Sequence, residues 1–253
     1  MTRFLDTCFF NATFIKHIDV PCDEFKPNNT QITCAGTVFI SNDDQAIVMA
    51  FRGTVGSAEL AEELSFYNIT TTFPGGGTVH KFYYNGLQSM WNNGLRDAFF
   101  TAKNTYPTYE LWVIGGSMGG ALAAITSAYI SQLGYMNPKD IKMFSFGEPR
   151  IGHMDFASRY ASLVPWAYRV VHRNDEVPHA IPLTAGYRHH GNEIWYNNTM
   201  ADGDPYIECD DIESLNCSDS VPENLWTWND HGTYFGATSW GYWNCTKFIN
   251  PPV

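Results

Sequence analysis

The stretch Leu111-Trp112-Val113-Ile114-Gly115-Gly116-Ser117-Met118-Gly119-Gly120-Ala121-Leu122-Ala123-Ala124 constrains the chain more than any other. Its first residues predict a strand and its last a helix, so Gly-x-Ser-x-Gly must join them in one tight turn. Such a turn forces the serine into a strained backbone conformation. Side chains at positions 115 and 119 would collide with neighbouring backbone, hence the two glycines. The hydroxyl then projects at the edge of a sheet, beside a helix N-terminus that favours negative charge. The bland alternative is a glycine-rich turn with an idle serine, and the strand–turn–helix context argues against it.

Other short runs rich in β-branched and aromatic residues also predict strands: Thr37–Ile40, Ala46–Phe51, Leu111–Ile114, Ile141–Phe146, Tyr168–His172 and Glu193–Tyr196. Between them Tyr84, Leu87, Trp91, Leu95, Ala98 and Ala102 step by three or four, one face of a long helix that ends before Pro107. Met118 to Leu133 predicts a second helix, stopped by Gly134. Strands alternating with helices imply an α/β fold with a mostly parallel central sheet covered by helices on both faces. The 253 residues suit one domain, with 44% hydrophobic residues to fill its core. Ligands in such sheets bind outside the carboxyl ends of the strands.

A serine hydroxyl needs a base to take its proton, and the base needs a carboxylate to fix its tautomer. In α/β-hydrolases these follow in the order serine, acid, histidine. Asp175 is the expected acid, in the loop after the strand Tyr168–His172, with Glu176 in reserve. Asp155 reads as helix-start capping. Of eight histidines, His179, His189, His190 and His231 follow Asp175. His231 lies in a polar loop near the end with room to fold back, and His189 and His190 compete with it. His80 and His172 are read as histidines satisfied by structural hydrogen bonds.

The oxyanion of an acyl-transfer intermediate needs two backbone N–H donors. Met118, after the nucleophile, supplies one. Thr54, in the loop after strand Ala46–Phe51, is the natural second, with Gly53 allowing close approach and Arg52 serving structure. Residues 55–67 form a candidate lid whose thin apolar face is set among Glu59, Glu62 and Glu63. Membrane-surface helices normally carry cations and larger apolar residues, which argues against strong interfacial activation.

A net charge of -11 disfavours nucleic acid and anionic membranes as partners. Apolar runs fall short of the roughly 20 residues needed to span a bilayer. None of the six cysteines sits in a CxxC pair, so neither a zinc site nor dithiol redox chemistry is expected. Asn-x-Ser/Thr acceptors occur at Asn11, Asn28, Asn68, Asn197, Asn216 and Asn244. With the even cysteine count they favour an exported, extracellular protein. The start, Met1 to Asp6, has no apolar leader core, as in a chain whose signal peptide was replaced by a new Met; a cytosolic chain is the other reading. Asp202 to Ser220 is acidic and is expected to be a surface excursion clipped by Cys209–Cys217.

These residues resemble the class 3 lipases, the fungal-lipase-like branch of the α/β-hydrolases. The likeness runs in ordered blocks from Val38 to Phe235. They include Val48-Met49-Ala50-Phe51-Arg52-Gly53-Thr54, Gly115 to Ala123, Phe144-Ser145-Phe146-Gly147-Glu148-Pro149-Arg150-Ile151-Gly152, Arg169 to His179, Gly186 to Trp195 and His231-Gly232-Thr233-Tyr234-Phe235-Gly236. The resemblance implies Ser117, Asp175 and His231 as the catalytic triad, Thr54 and Met118 as oxyanion donors, a lid after Thr54 and no cofactor. It implies ester or lipid substrates, transient contact with a lipid interface, and a Cys8–Cys245 pair. The chain departs from the family at Gly116 and Met118, where His and Leu are usual, and lacks the family's Trp-containing lid. The implied activity is hydrolysis of lipid acyl esters. Small or aromatic-acid esters, or a catalytically inactive binding protein on the same scaffold, are the alternatives.

Overall fold

The computed structural model describes residues 11–22, 32–54 and 66–238. An eight-stranded sheet runs through it in the order β1-β2-β3-β6-β7-β9-β11-β12. These strands are β1 (Ala12–Pro21), β2 (Thr33–Ser41), β3 (Ala46–Phe51), β6 (Glu110–Gly116), β7 (Ile141–Phe146), β9 (Trp166–His172), β11 (Glu193–Tyr196) and β12 (Ile207–Cys209). From β3 to β11 neighbours pair in parallel, and the flanks are antiparallel. The six strands expected from sequence all lie within this sheet. A smaller sheet joins β4 (Thr70–Thr72), β5 (Thr78–His80), β8 (Gly152–His153) and β10 (Tyr187–Arg188). A hairpin of β13 (Thr233–Tyr234) and β14 (Ala237–Thr238) follows the short helix that carries His231.

Alternation along the strands decides where the core sits. Ile47 and Met49 of β3, Leu111 and Val113 of β6, and Ile141 and Met143 of β7 face one side. There they bury the helices α1 (Lys81–Met90), α2 (Arg96–Thr105), α3 (Met118–Gln132) and α4 (Met154–Leu163). On the other side Phe39, Ala46 and Val48 cluster with Trp112 and Ile114. Among the described residues, helices α1 to α4 pack on the first face. α3 is apolar all round, and thirteen of its fifteen residues are buried, as fits a helix wedged between the sheet and its neighbours. Its end is set by Gly134, at φ 68°, where the N–H of Tyr135 returns to the carbonyl of Ile130.

The long helix expected from Tyr84 to Ala102 is interrupted. Gly94 takes φ 119°, open to glycine but strained for other residues, and Asn93 leaves helical geometry beside it. The break, bridged by Asn93 Nδ2 donating to the Ser89 carbonyl, splits the element into α1 and α2. The 3.6-residue apolar stripe survives it, which is why the period alone did not reveal it.

Cys209 and Cys217 are bonded as expected, but part of the acidic excursion is β12, so it joins the main sheet rather than standing free of it. A second disulfide links Cys22 to Cys34. The expected Cys8–Cys245 pair lies outside the described residues, as does the candidate lid except for Phe66 and Tyr67. No described helix is long and apolar enough to cross a membrane.

Candidate active site

Ser117 stands between β6 and α3 with φ 56° and ψ −131°, a strained conformation for a residue with a Cβ. The strain is fixed by packing. A Cβ at Gly115 would lie 2.1 Å from the Gly119 carbonyl oxygen, and one at Gly119 would lie 2.4 Å from that of Phe51. Ser117 N–H donates to the Phe146 carbonyl at 2.8 Å, tying the turn to the end of β7. The Ser117 hydroxyl is buried and has no hydrogen-bond partner among the described residues. Gly53 approaches from β3, where an added Cβ would meet the Gly116 carbonyl at 2.9 Å and Ser117 Cβ at 3.5 Å. Arg52 serves structure, donating to the Gly53 carbonyl and to Thr33 Oγ1.

Asp175 follows β9, is fully buried, and lies against His231 Nδ1 at 2.9 and 3.0 Å. Two residues distant by 56 positions meet because the loops that carry them are zipped together. Thr227 N–H donates to the Asn174 carbonyl at 2.8 Å, Asn174 N–H donates to the Asp230 carboxylate at 3.2 Å, and Asp175 and Thr227 form a parallel bridge. Thr227 also caps the single-turn helix α5 (Trp228–His231), accepting from Asn229 N–H. His172 sits behind this loop, its ring nitrogens 3.1 and 3.0 Å from the carbonyls of Asp230 and Asn198. It is thus held by structural hydrogen bonds, as expected, and so is His80, which caps α1 by accepting from Phe82 N–H.

Four further residues surround the Asp175–His231 pair without having been singled out by the sequence. Tyr234 donates its hydroxyl to Asp175 Oδ2 at 2.6 Å, while Val177 N–H donates to Oδ1 at 2.9 Å. Burial, followed by the Asp175 charge, pushes the Tyr234 phenol well above its ordinary range, so it stays a donor. Gly147, at φ 59°, passes so close that a Cβ there would fall 2.5 Å from Asp175 Oδ2 and 2.8 Å from His231 Nδ1. It is the residue after Phe146, which holds Ser117 N–H, so one strand end spans the serine and the His231–Asp175 pair. Trp228 packs its ring 4.8 Å from that of His231. A glycine directly after a strand was a legible signal, whereas nothing local marks Tyr234 or Trp228.

The competing histidines are committed elsewhere. His190 pairs with buried Glu148 at 2.9 Å, and His179 with Asp219 at 3.2 Å. His189 bonds the Pro178 carbonyl at 2.8 Å, and burial, then the charges of Arg169 and Arg150, hold it well below 6.5, a neutral ring. Of the two acids considered, Asp175 rather than Glu176 meets His231. Asp155 does not cap its helix as expected: the N-cap of α4 is His153, and the Asp155 carboxylate instead accepts the N–H and hydroxyl of Thr78 on β5, pinning α4 to the smaller sheet. No hydrogen bond joins Ser117 to His231 among the described residues, and no cluster there could hold a metal.

A family model described as lipase (class 3) matches residues 48–185, more than half of the chain. The chain belongs to the class 3 lipase family. With it, this class 3 lipase falls among the carboxylic ester hydrolases, as the sequence blocks implied. It is 34% identical to a Caenorhabditis elegans lipase over 90% of this chain and 70% of that one. It is 30% identical to a secreted mono- and diacylglycerol lipase of Fusarium solani over 72% of this chain and 54% of the other. It spans little more than half the length of the fungal relatives it matches. Among solved structures, a lipase from Rhizopus microsporus var. chinensis superposes with a TM-score of 0.76 at 26% identity, covering 90% of this chain and 75% of that one. The Rhizomucor miehei triacylglyceride lipase gives 0.79 at 24% identity, covering 92% and 84%, a likeness of fold.

Proposed function

We propose that this class 3 lipase hydrolyses lipid acyl esters outside the cell, with Ser117, His231 and Asp175 as its triad. One observation carries the reading: a strained serine at the carboxyl edge of β6, one strand end away from an imidazole whose Nδ1 rests on a fully buried carboxylate. With Nδ1–H given to Asp175, His231 Nε2 is the free basic atom. It takes the Ser117 proton as Oγ attacks the ester carbonyl. Met118 N–H, in the first turn of α3, and Thr54 N–H stabilise the oxyanion. His231 then hands its proton to the departing alkoxide, leaving an acyl-serine. Water, deprotonated by the same nitrogen, attacks the acyl carbonyl, and the acid and free serine are released.

The unpaired Ser117 hydroxyl is compatible with this role, because catalytic hydrogen bonds often tighten only when substrate is bound. The Tyr234 and Val177 bonds keep Asp175 pointed at His231 throughout the cycle. Two disulfides and several exposed glycosylation acceptors support an oxidising, extracellular setting. The similarity to a secreted mono- and diacylglycerol lipase supports acylglycerols as the lipid class.

Labelling with a fluorophosphonate, followed by hydrolysis of an ester panel, tests the reading. The expected result is stoichiometric label on Ser117, lost in Ser117→Ala together with activity on acylglycerols. An unlabelled wild-type protein, or a Ser117→Ala variant that keeps its rate, would overturn it. A preference for soluble short-chain or aromatic-acid esters over emulsified acylglycerols would keep the triad and replace the substrate.

A further inference from the structure

We infer that Trp228 is a specificity-determining residue that reads the alcohol half of the ester. This rests on His231 being the base of the proposed triad. Three observations on α5 lead to it. Trp228 and His231 are three apart on one helical turn, and their rings lie 4.8 Å apart at 43°. The indole is 46% exposed, a large apolar surface left open beside an imidazole whose side chain is only 9% exposed. The Thr227 bonds that place His231 against Asp175 also fix the start of the turn on which Trp228 stands.

The chemistry says which part of the substrate meets that surface. The Nδ1 edge of His231 is occupied by Asp175, so its Nε2 edge faces the reacting atoms. Once Ser117 has attacked, the atom that must come within hydrogen-bond reach of Nε2 is the ester oxygen that leaves. What is attached to that oxygen is the alcohol, whereas the acyl chain hangs from the carbonyl carbon on the serine side. A ring packed on His231 therefore stands next to the alcohol group. Covering its exposed face with an apolar alcohol removes both from water, and the gain is present while that alcohol is still attached, which includes the acylation transition state. Deacylation proceeds after the alcohol has gone and does not use the contact.

The test holds one half of the ester constant while varying the other, in Trp228→Ala and Trp228→Phe. With a butyryl group fixed and the alcohol lengthened from methyl to octyl, the loss of kcat/KM in Trp228→Ala is expected to grow, reaching roughly tenfold for octyl. Trp228→Phe recovers part of the loss. With the alcohol fixed and the acyl chain lengthened, the loss stays constant along the series, and a kcat limited by deacylation changes less than kcat/KM. A loss equal for all alcohols, or one that follows acyl length, overturns the inference. Trp228→Leu, which keeps apolar bulk, carries the same comparison if the alanine variant does not fold. A Ser117→Ala variant that retains activity would strike the triad itself; an inactive one beside a flat Trp228 alcohol series would strike this inference alone.

Discussion

Tyr234 gives its phenolic proton to Asp175 across 2.6 Å while its oxygen accepts the His172 backbone N–H at 3.3 Å. The hydroxyl thus links the end of β9 to the carboxylate beyond it. A hydrogen bond to a buried charge contributes about 1.5–3 kcal/mol. Tyr234→Phe is therefore expected to lower stability by about that amount, and to lower kcat/KM by roughly tenfold or more as Asp175 loses its fixed orientation. Urea unfolding and ester kinetics on the same preparation check both. Unchanged kinetics would show that Val177 N–H and His231 alone suffice to hold the carboxylate.

Gly147→Ala places a methyl within 3 Å of both Asp175 and His231, at a φ of 59° that already disfavours alanine. The expected outcome is activity lost by a larger factor than in Tyr234→Phe, with a melting temperature lowered by several degrees, corresponding to about 1–3 kcal/mol. A fully active Gly147→Ala enzyme would mean that the His231–Asp175 pair does not work in the position it occupies here.

Acid should weaken the fold through Asp219. Burial pushes its carboxyl up, but the hydrogen bond from His179 and the charges of Arg150 and His179 outweigh this and bring it from 3.8 down to about 2. The folded chain therefore holds this proton less tightly than the unfolded one. The stability it contributes is complete above about 3.8 and is lost as pH falls towards 2. Urea midpoints measured through that window should fall, and Asp219→Asn should flatten the decline by about 1 kcal/mol after allowing for solvent screening.

Export makes a prediction at the surface. Asn68, Asn197 and Asn216 are exposed acceptors, whereas the Asn11 amide donates to Asp43 at 2.8 Å. Protein secreted from a eukaryotic host should carry glycans at the first three, seen by mass spectrometry as aspartate after enzymatic deglycosylation, and less fully at Asn11. Bare asparagine at all of them would count against passage through the secretory route.

The central sheet was legible because its strands are short runs rich in β-branched and aromatic residues, fully buried on one face and half-buried on the other. The nucleophile elbow was legible because its glycines answer a local steric demand. The acid and base proposed for Ser117 were not legible in that way. Periodicity and order left His189, His190 and His231 in competition, since what separates them is the zip between Asn174 and Thr227, a contact across more than fifty residues. The family likeness narrowed that choice, and the geometry shows where each ring goes. Tyr234 and Trp228 were missed because an aromatic residue in a loop looks the same whether it packs, donates or waits for a ligand. The antiparallel β1–β2 pair and its Cys22–Cys34 bond were missed because an irregularity between Phe14 and Lys16 breaks the apolar alternation of β1, and only Ile18 of the strand is buried.

The returning loop has a further consequence for how the molecule is made. Ser117 and Asp175 emerge early from the ribosome, but the imidazole between them arrives more than fifty residues later, on a single helical turn that Asn174 must capture. On the proposed triad, a chain cut anywhere before that turn should build much of the sheet and show no activity. Esterase activity should therefore report synthesis and docking of the turn that carries His231.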